Sequence, residues 1–279
     1  MLCVLILAGG RGKRLYPIST EDKPKQFLRL CGKKTMLQIT FERFRRFIQK
    51  DSIYISTTRS YRDIVKEQLP DVDDDNIIIE PVGMNTAPCI AISSHYINKR
   101  IGNVSLIVSP SDHIIDNEDK LCNTIYKAYE FVESNEKSIV LLGIQPKYNE
   151  VDYGYIKRGN EVGSSIYTVD KFVEKPKLEL AKTYVESGMY YWNSGVFISK
   201  VNTVLDCVDK YLPKTSRLIK NIDLGGYIPE EDYKNVECVS IDYAIFEKYR
   251  CMNIIECDFG WVDIGSIDRL KNYNQIISN

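Results

Sequence analysis

The chain has 279 residues, 44% of them apolar and 27% charged, enough for one large α/β domain or two small ones. Its 37 basic and 38 acidic side chains leave a formal charge of −1, so no global basic field is present to draw in nucleic acid. No apolar run reaches the length of a membrane span, and the apolar start lacks the basic flank of a signal peptide, so neither membrane insertion nor secretion is expected.

The first predicted element is an apolar strand, Leu2–Leu7, that runs straight into Ala8-Gly9-Gly10-Arg11-Gly12-Lys13-Arg14. Glycines let backbone N–H groups approach a ligand closely, and successive N–H groups in such a turn make an anion nest. Arg11, Lys13 and Arg14 add full charges, so the loop reads as a polyphosphate cradle. It is neither of the two common phosphate loops. Counting from Gly10, the third glycine of a dinucleotide fingerprint would fall on Leu15, and Gly12-Lys13 is followed by Arg14 where a P-loop has Ser or Thr. The plain alternative is a strand-to-helix turn with solvated basic residues.

Beyond the loop, helical patterns at 36–47, 61–69, 87–99 and 119–133 alternate with apolar strand patterns at 53–57, 77–80, 104–108 and 139–142. Such alternation implies crossover connections and a Rossmann-like, mostly parallel sheet with helices on both faces. Ligands of such sheets sit at the carboxyl ends of the strands, where the glycine loop and Pro110-Ser111-Asp112-His113 both fall. The second half is more mixed, with strands at 153–157, 166–173 and 196–199 and helices at 178–187, 201–211 and 241–249. Without a low-complexity linker or internal repeat, one domain of two lobes on a shared sheet is expected. Eight cysteines are scattered without any Cys-x-x-Cys pair, which points to reduced thiols in a cytoplasmic protein and against a zinc site.

Further segments stand out in order: Lys23-Pro24-Lys25-Gln26-Phe27-Leu28, Glu80-Pro81-Val82-Gly83-Met84-Asn85-Thr86-Ala87-Pro88, Tyr153-Gly154-Tyr155-Ile156, Phe172-Val173-Glu174-Lys175-Pro176, Trp192-Asn193-Ser194-Gly195, Ser240-Ile241-Asp242-Tyr243-Ala244 and Gly260-Trp261-Val262-Asp263-Ile264-Gly265. With the opening loop they resemble the sugar-nucleotide pyrophosphorylases, from residue 2 to about residue 268. The wordings Pro-Lys-Gln-Phe-Leu, Asn-Thr-Ala-Pro, Trp-Asn-Ser-Gly and Ser-Ile-Asp-Tyr-Ala are similar to those of members that make GDP-mannose from GTP and mannose 1-phosphate.

The resemblance implies a nucleotide-diphospho-sugar transferase fold, with a nucleotide-binding lobe over residues 1–145 and a sugar-phosphate lobe over 146–279. It implies that Leu7, Ala8, Gly9, Gly10, Gly12, Lys13, Arg14 and Lys25 hold the nucleotide phosphates, with Asn85 and Thr86 at the guanine. Arg14, Lys25, Asp112 and Asp263 would be catalytic, the two aspartates also holding Mg²⁺ between the nucleotide and the sugar phosphate. Gly154, Glu174, Lys175 and Asn193 would bind the sugar phosphate. The attacking phosphate oxygen is already anionic, so no general base is required, which suits a chain whose only histidines are His95 and His113.

Each assignment has a plainer counterpart. Asp112 and Asn85-Thr86 could cap helices, Asp263 and Asn193 could form turns, and Lys25 and Glu174-Lys175 could be surface ion pairs. Alternation along the preceding strand predicts that Glu174 and Lys175 point to opposite sides. His113 reads as a structural neighbour of the site, not a ligand. Met84 stands where the family usually has arginine, and Tyr16 where tryptophan is common. Other manno-configured substrates, another nucleotide and sugar, and a noncatalytic nucleotide-sugar sensor remain as alternatives, and homo-oligomerisation stays open. Many family members continue into a β-helical or cupin-like domain; the chain ends at Asn279, so a fused isomerase activity is not expected.

Overall fold

The computed structural model describes residues 1–12, 15–222 and 228–278. Its strands are β1 (Leu2–Leu7), β2 (Ile53–Thr58), β3 (Ile77–Glu80), β4 (Ser105–Pro110), β5 (His113–Ile115), β6 (Ile139–Ile144), β7 (Tyr155–Gly163), β8 (Ile166–Val173), β9 (Tyr190–Lys200), β10 (Met252–Cys257) and β11 (Trp261–Asp263). Its α-helices are α1 (Met36–Arg45), α2 (Arg62–Gln68), α3 (Thr86–Ile101), α4 (Glu118–Ser134), α5 (Leu178–Ser187), α6 (Val201–Tyr211), α7 (Pro213–Lys220), α8 (Glu230–Tyr233) and α9 (Ile267–Ser278). Nine strands form one sheet in the order β3-β2-β1-β4-β9-β6-β10-β8-β7, which takes strands from both halves of the chain.

Strand β1 shows why the sheet lies in the middle. Val4 and Ile6 enter one apolar cluster and Cys3 and Leu5 the other, all four with no exposed surface. A strand buried on both faces must be apolar throughout, which accounts for the continuous run instead of alternation. Helices α1, α2, α4 and α5 pack on the first face, and α3, α6 and α7 on the second. Local signals agree with this placement. Thr35 and Gln38 form a reciprocal capping box at α1, and Gly188, with φ +66°, ends α5 in a left-handed cap.

The pairings β1–β2, β1–β4, β2–β3 and β6–β10 are parallel, whereas β9 runs against β4 and β6, and β8 against β10. The expected parallel direction therefore holds except for β9 and β8. Strand β9 is longer than the predicted 196–199 and includes Asn193, so that residue is not in a turn. Between the pairs Leu141–Phe197 and Gly143–Asn193 the register shifts, and Gly195 takes φ +75° in the resulting bulge. The predicted helix at 241–249 is a single π-turn, Asp242–Phe246. Strand β10, the small β5–β11 ladder and helices α7 to α9 were not anticipated. No helix among the described residues is long and apolar enough to cross a membrane.

Candidate active site

The glycine loop leaves the carboxyl end of β1 and is organised by buried polar residues of neighbouring elements. Gln26 Nε2 donates to the carbonyls of Ala8 (3.0 Å) and Gly10 (2.8 Å), and Thr57 Oγ1 donates to Ala8 (3.1 Å). In a trans peptide the next N–H points opposite to the carbonyl, so the amides of Gly9 and Arg11 face away from Gln26. Ser111 Oγ donates to the Leu7 carbonyl at 2.6 Å and ties the loop to the end of β4. Gly12 has φ +60°, and a Cβ there would stand 2.7 Å from the Lys25 backbone nitrogen. Only glycine lets the loop close over the Pro24–Lys25 segment. Lys13 and Arg14, both expected in the nucleotide site, lie outside the described residues.

Lys25 is the centre of the arrangement. Its ammonium lies 2.8 Å from Asp263 Oδ1 and 3.0 Å from Asp112 Oδ2, with 5% of its side chain exposed. Burial alone would pull this amine down, but the two carboxylates outweigh it and hold Lys25 above the ordinary lysine value. A surface ion pair is thus ruled out for Lys25. The β5–β11 ladder explains how aspartates so distant in sequence meet. Its antiparallel register sets Asp263 opposite His113, directly beside Asp112. Asp112 is no helix cap, because Asn117 caps α4 by accepting from the Lys120 N–H at 2.9 Å. Among the described residues no set of three or more His, Cys, Asp or Glu side chains converges as a metal site.

His113 supports the ladder. Its Nδ1 accepts from Trp261 Nε1 at 3.2 Å, its ring meets Trp261 edge-on, and its carbonyl accepts from Arg43 at 3.3 Å. Burial lowers its pKa, so the ring is neutral at physiological pH and serves packing.

Sequence reasoning missed Glu80, which ends β3 beneath the loop. A Cβ on Gly9 would lie 3.5 Å from Glu80 Oε1, and Tyr233 donates to Glu80 Oε2 at 2.5 Å. Burial pushes this carboxyl up to about 7, although the Tyr233 hydrogen bond opposes the shift. Beneath the loop this carboxyl therefore carries less negative charge near neutral pH than an ordinary glutamate would. Because the folded value exceeds the unfolded one, Glu80 favours the fold at low pH and that contribution is lost as pH rises towards 7. Glu80→Gln keeps an acceptor for Tyr233 and removes the titration. Its stability relative to the parent should therefore improve by on the order of 2–3 kcal/mol between pH 4.5 and pH 8. Thermal melts of both proteins at the two pH values check this, and a constant difference would mean that Glu80 ionises normally.

A cleft of about 190 Å³ opens beside Asp263, lined by Leu7, Thr86, Gly154, Glu174, Asn193 and Asp242 among others. A cavity of about 800 Å³ beside α7 and α8 contains none of the site residues. At Gly154 a Cβ would stand 2.7 Å from Glu174 Oε2 and 2.9 Å from Phe172, so a side chain there would displace Glu174 or the ring. Glu174 and Lys175 do not point to opposite sides as alternation predicts. Lys175 takes φ +47° as the strand ends, which swings its ammonium to 2.8 Å from Glu174 Oε1. Glu174 is buried in the cleft while Lys175 lies half exposed at its rim. Asn85 caps α3 through its own side chain, which accepts from the Thr86 N–H at 2.9 Å, and Thr86 Oγ1 accepts from the Ile241 N–H at 2.9 Å. Met84 packs against the second apolar cluster.

Residues 3–279 match the model of the nucleotidyl transferase family. The chain belongs to that family, the sugar-nucleotide pyrophosphorylases. It is 37% identical over 283 residues to mannose-1-phosphate guanylyltransferase 2 of Escherichia coli O157:H7, covering 95% of this chain and 58% of that protein. Among solved structures it is similar to a Thermus thermophilus protein described as a mannose-1-phosphate geranyltransferase, with TM-score 0.86 and 32% identity over 95% of this chain and 76% of that one. It is also similar to a Helicobacter pylori protein described as a mannose-6-phosphate isomerase, with TM-score 0.77 and 25% identity over 94% of this chain and 99% of that one. The chain spans somewhat more than half the length of the curated relatives it matches, 58% in the E. coli case.

Proposed function

We propose that this chain carries the catalytic unit of a guanylyltransferase that makes GDP-mannose and pyrophosphate from GTP and mannose 1-phosphate in the cytoplasm. One observation carries the reading: Lys25, Asp112 and Asp263 meet at a single point, between the glycine loop and a cleft lined by Gly154, Glu174 and Asn193. In the reaction an oxygen of the sugar phosphate attacks the α-phosphorus of GTP in line with the bond to the β-phosphate. The new P–O bond forms as the α–β bridging bond breaks, and pyrophosphate leaves with the electron pair. Neither reactant needs a proton removed, so the protein's work is positioning and charge neutralisation.

Lys25 supplies a fixed positive charge between the reactants, and the loop amides hold the triphosphate. Glu174 takes sugar hydroxyls, and Lys175 at the rim meets the sugar phosphate. The two aspartates fit a hard divalent cation, since both already direct an oxygen at one cationic atom within 3.0 Å. Asp112 and Asp263 would hold Mg²⁺, which would supply positive charge to the two phosphates.

Initial rates across GTP, ATP, UTP and dTTP, each with mannose 1-phosphate and close relatives, test the assignment. A base donor left unpaired by the wrong nucleotide costs about 1–3 kcal/mol, so GTP should lead by roughly ten- to a hundredfold per lost contact. Equal rates with UTP would point to a different nucleotide. A preference for another manno-configured sugar phosphate would move the substrate and keep the chemistry.

A further inference from the structure

Ser-Ile-Asp-Tyr-Ala at 240–244 belongs to the motifs that carry the family resemblance, yet the transfer chemistry alone gives it no task. Its Asp242 opens the π-turn Asp242–Phe246, a wide turn that proteins tend to keep where a side chain must be aimed. The turn is anchored at both ends: the Ile241 N–H donates to Thr86 Oγ1 at 2.9 Å, and Glu247 Oε1 accepts from the Glu174 N–H at 3.1 Å. This holds Asp242, half-buried, in the wall of the cleft with Glu174, Gly154 and Asn193.

The Asn193 amide is oriented without ambiguity. Its Oδ1 accepts from the Gly195 N–H at 3.1 Å, so the group facing Asp242 is the NH₂, which donates to Asp242 Oδ1 at 3.0 Å. An ionised carboxyl offers roughly four acceptor positions. Among the described residues Asn193 donates to Oδ1, and the Ser240 hydroxyl and Asp242's own backbone N–H also favour the charged form, so the carboxyl keeps acceptor capacity for a further donor. Asn193 likewise retains a second N–H. A partly desolvated acceptor next to an amide of fixed orientation, inside a cleft with Glu174, suits a ring carrying adjacent hydroxyl groups. Burial, followed by the Glu174 charge, pushes the Asp242 carboxyl up to about 7, which a new hydrogen-bond donor would counter.

We propose that Asp242 is a sugar-recognition residue, accepting a hydrogen bond from one ring hydroxyl of the sugar 1-phosphate while it holds the Asn193 amide towards the neighbouring hydroxyl. The assignment rests on the transfer reading for the identity of the ligand, and it deepens that reading by naming a residue that selects the sugar. It predicts a coupling between one side chain and one hydroxyl, which a purely structural aspartate would not produce.

The test is calorimetric binding of mannose 1-phosphate and its monodeoxy analogues, in the presence of Mg²⁺ and a non-reacting GTP analogue, to the parent and to Asp242→Asn. Mannose 1-phosphate should bind the variant about ten- to a hundredfold more weakly, the loss of one hydrogen bond to a charged acceptor. One deoxy analogue, penalised about tenfold in the parent, should bind the variant within about threefold of mannose 1-phosphate itself. Affinity for the GTP analogue should be unchanged and reports that the variant is folded; Asp242→Ser provides the same comparison if the asparagine variant does not fold. A variant that ranks every deoxy analogue as the parent does, or binds mannose 1-phosphate as tightly, overturns the assignment, as does a parent that binds no sugar 1-phosphate. A parent that binds the sugar phosphates with the predicted coupling but transfers to none would overturn the transfer reading and leave the assignment standing.

Discussion

Asp263→Asn is expected to lower kcat by about a thousandfold while the protein stays folded, and Asp112→Asn to do nearly the same. The amide preserves the shape of each side chain and removes only its charge. Asp263 lies at the end of β11, held by the ladder to β5, so the change leaves the surrounding backbone supported. What is lost is half of the carboxylate pair now directed at Lys25, the same pair proposed to hold Mg²⁺. Pyrophosphate release at saturating substrate, with thermal melts as the folding control, measures the effect. Chelation of divalent ions should abolish the parent's turnover, and added Mg²⁺ should restore it. Near-normal turnover in both variants would dismiss the two-aspartate metal site.

Lys25→Met should destabilise the chain by about 3 kcal/mol without divalent ions, because it leaves carboxylates facing each other with no cation between them. The Lys25 side chain is 5% exposed and Asp263 10%, so solvent screens little of their interaction; Asp112, at 30%, is screened more. Millimolar Mg²⁺ should recover part of the loss in the variant and raise the parent's melting temperature by less, since in the parent the ammonium already stands beside both carboxylates. Urea melts with and without Mg²⁺ measure both effects. Equal stability of parent and variant would mean that Lys25 contributes no net charge compensation, against the buried geometry.

The first half of the fold was legible because its strands are buried on both faces. Leu2–Leu7 is apolar throughout, β3 is apolar up to its terminal Glu80, and β4 has an apolar centre at Leu106–Val108, and turn residues bound all three. Strand β10, Met-Asn-Ile-Ile-Glu-Cys, was missed because its polar Asn253 and Glu256 break the apolar run, and their partners are Ser138 and Arg158, far away in the sequence. The β5–β11 ladder is only three residues long on each side, too short for any periodic signal. Candidate site residues could be named from motif wording, whereas their contacts could not. That Lys25 bridges both aspartates, and that a left-handed Lys175 turns towards Glu174, are consequences of tertiary register and of a strand end. Gln26 and Glu80 sat in quoted motifs without an assigned role, since nothing local says that a polar side chain will be buried beneath a loop.

The most direct test of the account is a phosphorus NMR time course of the parent chain with GTP, mannose 1-phosphate and Mg²⁺. The triphosphate and sugar-phosphate resonances should fall together while GDP-mannose and pyrophosphate appear in equal amounts, and excess pyrophosphate should drive the reaction back. Release of inorganic phosphate and GDP, or unchanged substrates with a folded protein that binds GTP, would contradict it.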